Sequence, residues 1–156
     1  NRAPHADPYT RALIAGLGME DDLDNLVALY VAGICGLGYG LRQILEVQAK
    51  RGATVSTVVI SGGAGRSDLV RQILADATGL PVAAPQTEEP VLLGSAILAA
   101  VAAGAAPDVA TAMAQMSKIA RRYAPGGAET RAFHDARFAL FEQFQTLARD
   151  AAVREA

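Results

Sequence analysis

Tryptophan is absent from this 156-residue chain, aromatic residues make up only 5% of it, and it has one cysteine. With 51% apolar residues and so few rings, the core must be aliphatic, built from Ala, Leu and Val. A chain of this length can bury one real domain core. A single thiol excludes an intrachain disulfide. Cys35 lies inside the apolar run YVAGICGLGYGL and reads as a small core residue, which fits a reducing compartment. Charge of one sign is also missing. The 14 Lys and Arg and 16 Asp and Glu are scattered and sum to −2, so nothing suggests a nucleic-acid surface. The apolar stretches are short or interrupted by charge, so no membrane span is expected, and no signal-peptide pattern opens the chain. Neither GxGxxG nor GxxxxGK[ST] occurs, which argues against a Rossmann dinucleotide site and against a P-loop.

What the chain does have is the stretch VVISGGAGRSDLVRQILADATGLPVAAP, residues 58–85. Val58, Val59 and Ile60 form a β-branched run of the kind buried in parallel sheets. Gly62 and Gly63 follow at once, where backbone turns sharply or approaches something closely. Ser67 and Asp68 can cap a helix with apolar positions at Leu69, Ile73 and Leu74. A glycine turn between a strand's carboxyl end and a helix N-terminus is where open α/β sheets bind ligands. Free N–H groups and the helix dipole favour a phosphate or a nucleotide there. The same glycine pair is also found in strand-to-helix turns for geometry alone, and the local pattern leaves both readings open.

Around this unit the first twenty residues read as loop. Asp21 or Asp22 can cap a long helix over 23–50, with Gly52 at its C-terminal end. Its apolar stripe predicts packing on a sheet, and Gly33, Gly36, Gly38 and Gly40 predict close approach to a neighbour. Strands are expected at 57–61 and 81–84, and helices at 67–78, from about 91 to Gly104, at 109–116 and at 130–154. Gly94, Ser95 and Ala96 are expected to let the third helix pack closely. Phe133, Phe138, Phe141, Phe144 and Leu147 read as core contacts of the last helix. Two strands cannot build an independent sheet core. With Asn1 rather than Met at the start, the expectation is a piece of a longer protein whose first strands lie upstream.

The order of these segments resembles the C-terminal domain of the FGGY carbohydrate kinases. The matching segments are NRAPHADP (1–8), GLGMEDDLDNLVALYVAGI (16–34), SGGAGRSD (61–68), ADATGLPV (75–82) and EEPVLLGSA (88–96). AMAQMSKIARRYAP (112–125) is similar to the tail of the D-ribulokinase subgroup. The resemblance implies an α/β, actin-like (ribonuclease H-like) ATPase fold, here its C-terminal part with two parallel strands and flanking helices. It implies a partial C-terminal nucleotide-binding domain over 1–156, without the N-terminal domain.

The function so implied is ATP-dependent phosphorylation of a sugar hydroxyl, on a ketopentose such as D-ribulose, by a cytoplasmic enzyme. Alternatives are a non-catalytic actin-like nucleotide module, or a kinase of another pentulose, a polyol or glycerol. The implied cofactors are ATP and Mg²⁺. The implied partners are ATP and a small sugar, with no nucleic acid and no membrane, and a homo-oligomer through an open sheet edge is expected. Gly62, Gly63 and Ala64 would form the turn against the nucleotide. Ser67 stands where many relatives have Asn on the adenine. Arg2 would border the cleft, or pair with Asp7. No catalytic residue and no metal ligand is expected here, since the family's carboxylate base lies upstream. His5 and His134 are read as non-catalytic, and Glu88 and Glu89 as first-turn charge for the helix that follows.

Overall fold

The computed structural model describes residues 4–153, apart from the side chains of 64, 152 and 153. In chain order the elements are α1 (Leu23–Lys50), β1 (Val58–Val59), a 3-10 turn (Ala64–Arg66), α2 (Asp68–Thr78), β2 (Val82–Pro85), α3 (Pro90–Ala102), α4 (Val109–Met116), β3 (Ile119–Tyr123) and α5 (Ala128–Val153). Local chemistry sets most of these ends. Asp22 caps α1 by accepting from the Asn25 N–H at 2.8 Å. Past the Arg51 C-cap, Gly52 takes φ +86°. Asp108 caps α4 in the same way through the Thr111 N–H at 2.7 Å.

The sheet has three strands in the order β1-β2-β3, among the described residues. β1 and β2 are parallel, with Val58 opposite Val82 and Val59 opposite Ala83. The expectation of two parallel strands therefore needs a third, antiparallel one. β3 pairs Tyr123 with Val82 and Arg121 with Ala84, and the register shifts between Ala84 and Pro85. A strand reading IARRY shows no apolar alternation, because four of its five residues are exposed. Charged side chains on an edge strand also discourage further pairing.

β2 is the buried centre, and Val82 is fully enclosed. Val82 packs with Val70, Leu74 and Ala75 of α2, and partly buried Ile34, Val58, Ile60 and Tyr123 close around them. Burying one such side chain stabilises by about 1.5–3 kcal/mol. β1 is shorter than the expected 57–61, and Val59 is 60% exposed because its strand lies at the sheet edge. A second cluster joins Cys35 and Tyr39 of α1 to Ala77 of α2 and Phe138 of α5. Cys35 is indeed a buried free thiol. A third, separate cluster holds α3 to α4 through Ile97, Ala106 and Ala112.

Three expectations about the helices change. α1 packs on α2 and α5 rather than on the sheet face. Its buried positions are Cys35, Gly38, Tyr39 and Gln43, while Leu23, Leu26, Val27, Tyr30 and Leu37 of the apolar stripe remain exposed. By length and composition alone α1 could cross a membrane, contrary to the sequence reading, although its C-terminal half is committed to α2 and α5. Of its four glycines only Gly38 meets a neighbour, and Gly94 of α3 likewise faces open space. In α5, Phe138 is buried and Phe141 packs on the same cluster, but Phe133, Phe144 and Leu147 are exposed.

A polar seam also ties α1 to α5. Arg42 donates to Asp135 at 2.6 Å and to Glu46 at 3.0 Å, with its guanidinium 4.3 Å from the centre of the Phe138 ring. Beside it the Tyr39 hydroxyl lies 3.0 Å from His134 Nδ1, and it donates there when the imidazole carries its proton on Nε2. Both residues are buried. Burial, the largest influence, lowers the His134 pKa below its ordinary 6.5; Arg42 and Arg137 add to this, and Asp76 and Asp135 oppose it. Burial likewise pushes the Tyr39 hydroxyl up to about 12. Because the folded pKa of His134 lies below the unfolded one, its contribution is complete above pH 6.5 and is lost as pH falls toward the folded value. Thermal midpoints should therefore begin to drop below about pH 6.5. In His134→Gln that part of the slope should vanish, and an unchanged slope would refute the assignment.

Candidate nucleotide cleft

The β1–α2 connection is a sharp reversal followed by one 3-10 turn. Gly62 takes φ +88°, a region that side chains rarely adopt. Gly63 differs: its φ of −57° and ψ of −49° suit any residue. An added Cβ on Gly63 would meet no atom within 4 Å. Neither backbone conformation nor packing among the described residues requires glycine at 63, as is also true of Gly36 and Gly94. Gly65, which the sequence reading passed over, is buried, and a Cβ there would stand 2.9 Å from Ile60 Cγ2. Glycine at 65 serves the packing of the turn onto β1.

Ser67 ends this turn as the N-cap of α2, with its hydroxyl accepting from the Val70 N–H at 3.4 Å. Asp68 follows in the first turn, favourably placed for the helix dipole. The Asp68 carboxylate accepts from the Tyr123 hydroxyl at 2.7 Å, from Arg71 at 3.0 Å, and from Arg121. The Tyr123 hydrogen bond is the foremost cause that lowers its pKa, and Arg121 and Arg71 reinforce it. The start of α2 is thus anchored to β3, the strand absent from the sequence reading.

Between this turn and the β2–α3 loop lies a cleft of about 320 Å³. Its walls include Ile60, Gly62, Arg66, Arg71, Pro85 and Glu88. The size falls at the low end of small-ligand pockets, roughly 300–1,000 Å³. It opens at the carboxyl ends of the two parallel strands, where α/β sheets take ligands. Arg66 reaches across to Glu89 at 3.9 Å, joining the two loops at an exposed rim. Glu89 occupies the N-cap position of α3 without a side-chain capping bond, and Pro90 begins the helix.

Of the residues expected at the site, Gly62 lies on the cleft wall, while Gly63 and Ser67 belong to the same connection but do not line the cleft. Ala64 opens the 3-10 turn. Arg2 lies outside the described residues. Asp7, its suggested partner, accepts from the Tyr9 N–H at 2.9 Å and the Thr10 N–H at 3.3 Å in a local turn. His5 is exposed on its loop. Gly65, Arg66, Arg71, Gln86 and Thr87 also line the cleft and were not singled out in the sequence, Arg71 because at its position it reads only as a polar residue of a helix.

A small mixed sheet flanked by helices carries a glycine turn over a cleft at its parallel strand ends, an arrangement that fits part of an actin-like ATPase fold. The model of the FGGY family of carbohydrate kinases, C-terminal domain, matches residues 1–103. The chain belongs to that family. It is 38% identical over 141 residues to an FGGY carbohydrate kinase domain-containing protein of Xenopus laevis, covering 90% of this chain and 26% of that protein. It is 39% identical over 103 residues to a D-ribulokinase of Saccharomyces cerevisiae, covering 65% of this chain and 14% of the other. The solved gluconate kinase from Lactobacillus acidophilus superposes with a TM-score of 0.83 at 21% identity, over 99% of this chain and 30% of that one. The chain thus spans about a quarter of the length of the curated relatives it matches.

Proposed function

We propose that this chain supplies the nucleotide half of an ATP-dependent sugar kinase acting on a ketopentose such as D-ribulose in the cytoplasm. The observation that carries the reading is the cleft at the parallel strand ends, walled by Ile60, Ser61 and Gly62 on one side and Pro85, Gln86 and Thr87 on the other, in a chain that belongs to the FGGY family. Ile60 and Pro85 offer apolar wall for a base, and the exposed backbone of 61–63 offers close approach. Family membership and the likeness to the yeast D-ribulokinase support the substrate class.

The residues present fit a nucleotide better than they fit a metal. Among the described residues no group of three His, Cys, Asp or Glu could hold an ion. In this reading Mg²⁺ arrives on the phosphates, where it would neutralise charge during transfer. The chain's own part is to bind and orient the donor, and such positioning supplies much of the catalysis in phosphoryl transfer. The proton from the sugar hydroxyl would be taken by a carboxylate in the N-terminal part of the intact kinase.

The test is to give the intact kinase ATP, Mg²⁺ and a panel of ketopentoses, aldoses, polyols and glycerol. Transfer to a ketopentose above the others is expected. Transfer to another member of the panel would keep the kinase and replace the substrate. Nucleotide binding with no transfer to any would leave a non-catalytic actin-like module.

A further inference from the structure

We propose that the Arg66 guanidinium closes over the face of the bound base and holds it by a cation–π contact at the mouth of the cleft. The inference rests on the nucleotide reading of the cleft. Arg66 ends the 3-10 turn after β1 and lines the cleft. Its side chain is 70% exposed, and its Nη2 reaches Glu89, the N-cap residue of α3 on the facing loop, at 3.9 Å. The guanidinium therefore spans the mouth from one loop to the other. That ion pair is its one polar contact among the described residues. An exposed pair at this separation holds a side chain only loosely, so Arg66 can shift to fit a ring.

Size and charge decide which part of the nucleotide it meets. The cleft holds about 320 Å³, which suits a base and its ribose better than a complete triphosphate. Ile60 and Pro85 make part of its wall apolar. Its other arginine, Arg71, is already committed to Asp68 and to the Tyr123 hydroxyl at 3.0 Å each. Glu88 lines the wall beside Glu89, so the loop that faces Arg66 is acidic and repels phosphate. A neutral aromatic ring meets no such repulsion. A guanidinium is planar, delocalised and weakly hydrated, and it stacks on aromatic faces while its edge stays free for partners in its plane. Arg66 can thus cover a base and keep Glu89 at its edge.

ATP and adenosine share the base and ribose and differ in the phosphates, so their affinities for the intact kinase test the assignment. Arg66→Ala should weaken both by the same factor, about fivefold, the scale of one cation–π contact at a partly exposed site. The urea midpoint should not move, because the lost ion pair is exposed at both ends. Glu89→Gln breaks the ion pair but leaves the guanidinium, so it should keep most of the affinity for both ligands. Equal losses in Arg66→Ala and Glu89→Gln would make the pair a clasp between the two loops and overturn the inference. A loss for ATP alone would place Arg66 on the phosphates and overturn it as well. Unchanged affinities in Arg66→Ala would overturn it too, with the cleft still a nucleotide site. Binding of neither ligand by folded wild type would remove the underlying reading.

Discussion

Gly63→Val is expected to abolish nucleotide binding while leaving the fold intact. The backbone at 63 lies in the ordinary right-handed region, so valine meets no conformational barrier. The position is exposed, and no atom lies within 4 Å of where Cβ would stand. Such a substitution should change stability by no more than about 0.5 kcal/mol. Gly63 adjoins Gly62 of the cleft wall, and in the nucleotide reading a valine there would hold a base and ribose off the backbone of the turn. Affinity for ATP should fall below detection by calorimetry, with an unchanged urea midpoint. The neighbour makes a useful contrast. Gly62→Val forces a β-branched residue to φ +88° and should cost about 1–2 kcal/mol before any ligand is considered. Loss of binding in both variants, with loss of stability only at 62, would separate a ligand role from a folding role.

Gly38→Val should have the largest effect on stability. A Cβ at 38 would lie 2.6 Å from the Cβ of Ala77 and 3.4 Å from Leu74 Cδ2. Ala77 is fully buried between α1 and α5, so it has no room to yield. Relief requires α1 to move off α2, which opens the Cys35, Tyr39 and Phe138 cluster. Overpacking of this kind costs roughly 1–3 kcal/mol, and the rigid backbone on both sides places this case near the top of that range. For a chain of this size that corresponds to a melting temperature lower by about 10 °C. Ala77→Gly should restore part of the loss, because the two sites share one contact. Gly36→Val, on the open face of the same helix, should cost much less. Equal losses at 36 and 38 would show that helix propensity, not packing, sets the effect.

Local chemistry made much of the fold legible. The limits of α1 follow from Asp22 and Gly52, and those of α2 from Ser67 and Gly79. Gly79 is fixed by its φ of +69°, the left-handed C-cap of α2. The glycine turn was legible because strand, glycines and helix cap follow one another within ten residues. What stayed hidden depends on contacts distant in sequence. β3 has no alternation because four of its five residues, on both faces, are exposed, and only pairing with β2 marks it as a strand. Arg71 shows its place only once Tyr123, 52 residues away, holds it over the cleft. The glycines of α1 look alike in sequence, and only the position of Ala77 singles out Gly38. The outward apolar residues of α1 mislead for a related reason, since an apolar stripe records that a face is apolar and not what covers it.

The central claim is that the turn after β1 and the loop after β2 form one nucleotide site. An ATP titration followed by amide chemical shifts tests it most directly. The N–H signals of 61–65 and of 86–88 should move together along one binding curve, with α4 and the C-terminal half of α5 unmoved. Movement confined to other surfaces, or no movement at any concentration in the folded chain, would contradict the account.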